Sequence, residues 1–173
     1  MKKNLLLWLA VLAALVPAGC GYTQKTVLPR DIKTIYVDTV KNKVPIRDVY
    51  AYVPGLEIDI TNAVIERLQK DGNLKVVGKD EADAILEMDM TQFEQEGLRF
   101  TSLESVEEYR IYIVLDMKLI ERKTKDVLWQ EANFSGDGEY FVSDVRSIGR
   151  EEGAHLAVQR LARNVVDRIV EDW

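Results

Sequence analysis

The sequence predicts an α+β fold: a two-layer sandwich in which two helices cover one face of a mixed four-stranded sheet, in the order β-α-β-β-β-α. Three observations carry this. Leu56, Ile60, Val64 and Leu68 recur at helical spacing, and so do Ala154, Ala157, Val158, Leu161, Val165 and Ile169. Between these segments apolar and polar residues alternate, most cleanly over residues 109 to 119. Each helix carries a single apolar stripe, and two such stripes are most simply buried on one face of a sheet.

Taken in order, IKTIYVDTV (residues 32 to 40) is rich in β-branched residues and reads as the first strand. Residues 41 to 54 hold two prolines and read as a loop, with room for an extended stretch at 49 to 53. The first helix follows Pro54-Gly55. Glu57 and Asp59 near its start and Arg67 and Lys70 near its end suit the helix dipole. Asp71-Gly72 ends it, with Gly72 fit for a left-handed cap. Residues 74 to 77 read as extended. In 84 to 91, Ala84, Leu86, Met88 and Met90 alternate with Ile85, Glu87, Asp89 and Thr91 as a half-buried strand. The charged residues 94 to 107 read as a loop. Tyr109, Ile111, Ile113, Leu115, Met117 and Leu119 form the dry side of a long strand, with Arg110, Tyr112, Val114, Asp116 and Lys118 on the other. ERKTKD turns the chain into a last strand over 127 to 135, which Gly136-Asp137-Gly138 is expected to end. The second helix covers about 150 to 172, with Glu152, Gln159, Arg163 and Asp167 on its polar side. The β-α-β start implies parallel strands joined by a right-handed crossover, and the three later strands form an antiparallel meander.

The N-terminus has a different design. Lys2 and Lys3 precede an unbroken apolar run over 5 to 16, and Ala18-Gly19 lead into Cys20, the chain's one cysteine. Charged, apolar and then small is the order of a secretory signal peptide. As a helix the run spans about 18 Å, short of a hydrocarbon core of about 30 Å. The ending resembles the lipobox of bacterial lipoproteins, departing from it at Pro17, where leucine is usual. That resemblance implies a diacylglyceryl group on the Cys20 thiol, cleavage before Cys20, and acylation of the new amine by a chain such as palmitate. With several acyl chains the anchor is stable. By resemblance to bacterial lipoprotein sorting, in which aspartate after the cysteine favours inner-membrane retention, Gly21 implies the inner leaflet of the outer membrane. The expected organisation is a cleaved signal peptide over 1–19, a lipidated N-terminus and tether over 20–30, and a single domain over 31–173.

Removing Lys2 and Lys3 leaves 21 basic against 29 acidic side chains, an acidic chain poorly matched to a phosphate backbone, so nucleic-acid binding is not expected. With Cys20 lipidated no disulfide can form, and the core alone must hold the fold. Catalytic signatures are missing: there is no G-x-G-x-x-G, Walker loop, H-E-x-x-H or cysteine pair. His155 is the single histidine and reads as a solvated residue on the polar side of the last helix. Adjacent carboxylates such as Glu107-Glu108 and Glu151-Glu152 read as solvated. GDGE (136 to 139) lacks the spaced oxygen ligands of a calcium loop. Trp129, Phe134, Tyr140 and Phe141 read chiefly as packing residues. No enzyme activity, metal or cofactor is expected, other than the covalent lipid on Cys20.

CGY at 20 to 22, LPRDIKTIYV, PGLEIDITNAVIERLQKDGNLKVV, EADAILEMDM, EYRIYIVLDMKLIERKTKDVLWQEANFSGDGEYF and the closing VDRIVEDW, taken in this order, resemble the LPS-assembly lipoproteins, LptE. The resemblance implies a two-layer α/β fold and a plug inside the outer-membrane β-barrel LptD, with which the lipoprotein delivers lipopolysaccharide to the outer leaflet. A polar, helix-free sheet face suits a wet lumen. Arg110, Tyr112 and Lys118 on the long strand, with Arg99 before it, are the candidates for contact with the barrel or with lipopolysaccharide phosphates. No motif fixes a binding residue. The alternative is a lipoprotein subunit of an oligomeric outer-membrane secretion pore, which the first strand and helix also resemble.

Overall fold

The computed structural model describes residues 32–45, 54–142 and 149–171. The expected signal peptide, Cys20, the tether, the extended stretch at 49 to 53 and Trp173 lie outside them. The described elements are β1 (Thr34–Val37), β2 (Lys41–Asn42), α1 (Leu56–Asp71), β3 (Lys75–Val76), β4 (Ala84–Phe100), β5 (Val106–Glu121), β6 (Val127–Phe141) and α2 (Arg150–Glu171).

The fold is α+β with a mixed sheet, as the alternation and the two stripes required. The sheet has six strands rather than four, in the order β3-β1-β4-β5-β6, with β2 also paired to β4. The two extra strands are two-residue pieces. β3 is the stretch that reads as extended after α1, and β2 falls within the expected loop. β1 runs parallel to both β3 and β4, while β4, β5 and β6 form the antiparallel meander.

All four apolar positions of the α1 stripe are buried, as are Ala154, Ala157, Val158, Leu161, Val165 and Ile169 of α2. Gly72 caps α1 in the left-handed region at φ 79°, its N–H donating to the Leu68 carbonyl at 3.0 Å. Thr61 fastens the helix to the link between β1 and β2: its hydroxyl donates to the Glu57 carbonyl and accepts from the Val40 N–H at 3.0 Å. The helices lie side by side in the same direction. Leu56 and Asp59 line a hollow with Ala154 and His155, and Arg67 pairs with Asp167 at 3.3 Å. Together they cover the face formed by Ile35, Val37, Leu86, Met88, Met90, Ile111, Ile113, Leu115, Met117 and Leu119, all buried in one core.

Two further expectations fail. Residues 94 to 107 are not a loop: β4 and β5 run on to a short turn, where Thr101 Oγ1 accepts from the N–H groups of Leu103 and Ser105. Their charge misleads because Glu94 and Glu96 stand on the open face, opposite Tyr112 and Arg110, where water reaches them. A register shift between Met90 and Gln92 also breaks the period of two, leaving both Met90 and Phe93 in the core.

Nor does Gly136-Asp137-Gly138 end the last strand; β6 continues through it to Phe141. These glycines serve the packing of α2. A Cβ on Gly136 would stand 2.5 Å from Leu161 Cβ. One on Gly138 would overlap the Gly153 carbonyl oxygen and lie 2.6 Å from the Ala157 nitrogen. Gly153 in turn faces the ring of Tyr140, where a Cβ would be 2.8 Å from Cδ1. Glycine in this strand marks close backbone approach rather than a turn.

Candidate functional site

The sheet's second face carries no helix among the described residues. Alternation on β5 puts Arg110, Tyr112, Val114, Asp116 and Lys118 there, since Ile111, Ile113, Leu115 and Met117 are fully buried on the other side. β4 contributes Glu87, Asp89, Glu94 and Glu96 beside them, and β6 contributes Asp137 and Glu139.

Arg110 organises this face. Its Nη2 and Nε donate to Glu139 Oε1 at 2.6 and 3.0 Å, and its Nη1 donates to the Tyr112 hydroxyl at 3.0 Å. The guanidinium also lies 5.8 Å from the centre of the Tyr112 ring. The hydrogen bonds to Tyr112 and to Glu139 hold its pKa above the usual arginine value, so the group stays charged. Asp137 is shared: Arg110 Nε is 3.9 Å away, and Arg160 of α2 reaches its Oδ2 at 3.1 Å. Arg160 thus links the helix layer to the exposed strand β6.

Of the four residues singled out by sequence, Arg110 and Tyr112 are brought into contact. Lys118 lies further along β5, exposed, with Glu87 and Gln130 as its cross-strand neighbours. Arg99 is near the far end of β4, 3.4 Å from Glu108 and with its guanidinium 5.8 Å from the centre of the Phe141 ring. The four therefore do not form one cluster. Carboxylates outnumber cations around them, and Arg110 is held by Glu139 and Tyr112.

Polar contacts that the sequence does not announce hold this arrangement. Asp83 fastens the start of β4 to β1. Its Oδ2 accepts from the N–H groups of Lys33 and Thr34 at 3.1 Å and from the Thr34 hydroxyl at 2.8 Å, and its own N–H donates to that hydroxyl. The bond from the Lys33 N–H, followed by that from the Thr34 hydroxyl, holds the carboxyl below the usual aspartate range. At the far end of α2, Arg168 Nε donates to Glu131 at 2.7 Å and the guanidinium lies 5.2 Å from the centre of the Trp129 ring. Tyr140 and Tyr109 stack with ring centres 5.4 Å apart, and burial pushes the Tyr140 phenol up. Trp129, Phe134 and Tyr140 pack on the core, whereas Phe141 is exposed. Only the partners' types were visible beforehand. Pairing Asp83 with Thr34, or Glu131 with Arg168, depends on register.

The described residues contain no group of three or more His, Cys, Asp or Glu side chains fit to hold a metal ion. His155 is exposed beside Asp59 and Glu151, on the polar side of α2. No described helix is long and apolar enough to cross a membrane.

The family model for lipopolysaccharide assembly, LptE, matches residues 32–173. The chain belongs to the LptE lipopolysaccharide-assembly family. The LptE match takes in every described element, from β1 to α2. In fold, this LptE chain is similar to a solved protein from Xanthomonas campestris, at 14% identity and a TM-score of 0.57, covering 83% of this chain and 88% of that one. It is also similar to a hypothetical protein of Chlamydia trachomatis, at 12% identity and a TM-score of 0.53, covering 79% and 95%. At such identity the likeness concerns the fold alone. No curated protein matches the sequence.

Proposed function

We propose that this chain is a lipoprotein of the outer membrane, anchored on its periplasmic side through acyl chains on Cys20. In this reading it plugs and supports the β-barrel LptD and takes part in delivering lipopolysaccharide to the outer leaflet, with no catalytic step of its own. The observation that carries the reading is the LptE match over the whole folded domain. The open sheet face supports it physically. A charged surface whose Arg110 is already paired with Glu139 and Tyr112 survives in water before docking and suits a polar barrel lumen afterwards. Arg110, Tyr112 and Lys118 are its proposed contacts with the barrel. Lys118 has a more exposed cation than Arg110 and suits lipopolysaccharide phosphates better, whereas Arg99 is held by Glu108.

Affinity purification of the tagged full chain from detergent-solubilised membranes tests this. A co-purifying large β-barrel is the expected result. A homo-oligomer of this chain without a barrel would instead favour a secretion-pore subunit. For the anchor, Cys20→Ala should release the protein from outer-membrane fractions when the barrel is absent. Retention there would overturn lipid attachment at Cys20.

A further inference from the structure

Large exposed apolar side chains gather where the β4–β5 hairpin ends. Leu103 in the turn is 85% exposed, Phe100 57%, Val142 52% and Phe141 41%. They belong together by register: Phe100 pairs with Val106, Phe141 pairs with Glu108, and the Val142 N–H donates to the Glu107 carbonyl. They also surround the tip. A Cβ on Gly97 would lie 3.1 Å from the Phe100 ring and 3.2 Å from Val106. Gly97 is opposite Tyr109, whose ring stacks on buried Tyr140, so Phe100 is on the helix side. Phe141 is on the open side, beneath the Arg99 guanidinium. An apolar surface on both sides and at the end is the shape of a peg, whereas a patch that lies on a flat surface needs only one side.

The charge around this peg narrows its partner. Between residues 94 and 107 stand Glu94, Glu96, Glu104 and Glu107 against a single cation, Arg99, which is already paired by Glu108, a buried carboxylate and not the solvated one the sequence suggested. Anionic lipid surfaces recruit basic segments and repel such a collar. Exposed apolar patches of this kind, rimmed by polar residues, mark protein interfaces. The turn itself is held by Thr101, whose N–H donates to the Ser105 carbonyl at 2.8 Å, and so is presented in a set shape.

We infer that the hairpin tip, with Phe100, Leu103 and Phe141 at its centre, is a protein-docking peg that seats in an apolar recess ringed by Lys and Arg on the barrel partner. This rests on the function proposed above and adds where that partner is gripped. It assigns the tip to protein contact and leaves lipopolysaccharide phosphates to other cations.

A photo-crosslinking residue at position 103 of the tagged full chain, irradiated in cells, tests it. The expected adduct is with the barrel, at an apolar segment flanked by basic residues. Phe100→Ser with Leu103→Ser should lower barrel recovery about thirtyfold, in the range of interface hot spots, with an unchanged melting temperature because both side chains are exposed. Glu104→Lys with Glu107→Lys should lower recovery as well, most strongly at low salt. If wild type recovers no barrel, the function proposed above falls and the peg with it. If the barrel is recovered but position 103 yields no adduct, or yields a lipid adduct, the peg assignment alone is overturned. Unchanged recovery after charge reversal would overturn the basic recess.

Discussion

The two faces of the sheet share the same strands and differ in almost everything else. On β5, the side chains at 111, 113, 115, 117 and 119 are 0–1% exposed, whereas their neighbours at 110, 112, 114, 116 and 118 are partly or fully open. The covered face is held by close packing under α1 and α2, with glycines where a helix comes near. The open face is held by direct ion pairs and hydrogen bonds, with Arg110 at their centre. Burial fixes a side chain's size to within a methyl group, while a solvated ion pair tolerates change with little loss of stability. One face therefore carries the fold, and the other is free to carry recognition.

Substitutions of decreasing effect sharpen this contrast. Leu161→Asp places an uncompensated charge against Gly136 in the core and should destabilise by about 3–5 kcal/mol. Thermal or denaturant unfolding equal to wild type would show that α2 does not cover the sheet there. Gly138→Ala should cost about 2–3 kcal/mol, because the added methyl meets the backbone of α2 rather than a movable side chain. An unaltered denaturant midpoint would contradict the close approach of β6 to α2.

Asp83→Asn should cost about 1–2 kcal/mol at neutral pH, since it weakens three hydrogen bonds to a partly exposed carboxylate. The folded-state pKa of Asp83 is lowered, so its contribution is fully present above the ordinary aspartate value. It is lost as pH falls through the folded value. The difference in stability between wild type and the Asp83→Asn variant should accordingly shrink on acidification below the ordinary aspartate range. A difference that grows there would reverse the assigned sign. Smallest of all, Arg110→Gln should leave the melting temperature close to wild type while reducing barrel recovery. A large loss of stability would place Arg110 among the residues that hold the fold.

The covered face was legible in the sequence because burial imposes a period, and both helix stripes and the dry side of β5 follow it. What was hidden lay where another constraint overrode period or composition. The shift after Met90 puts Phe93 in the core out of phase. Glu94 and Glu96 look like loop residues because a wet strand face can be as charged as a loop. Gly136 and Gly138 look like a turn because sequence does not tell a glycine needed for backbone freedom from one needed for its missing Cβ. On the open face the types Arg110 and Tyr112 could be placed, but the partners Glu139, Asp137 and Arg160 follow from cross-strand register and helix placement. The apolar tip was hidden with the hairpin that presents it.

The division of labour between the faces is tested most directly by site-specific photo-crosslinking in cells, with the probe at positions 110, 112 and 118 of β5 and at position 163 on the exposed side of α2. The account predicts adducts with the barrel from the strand positions and none from 163. Adducts from 163 with none from the strand would contradict it.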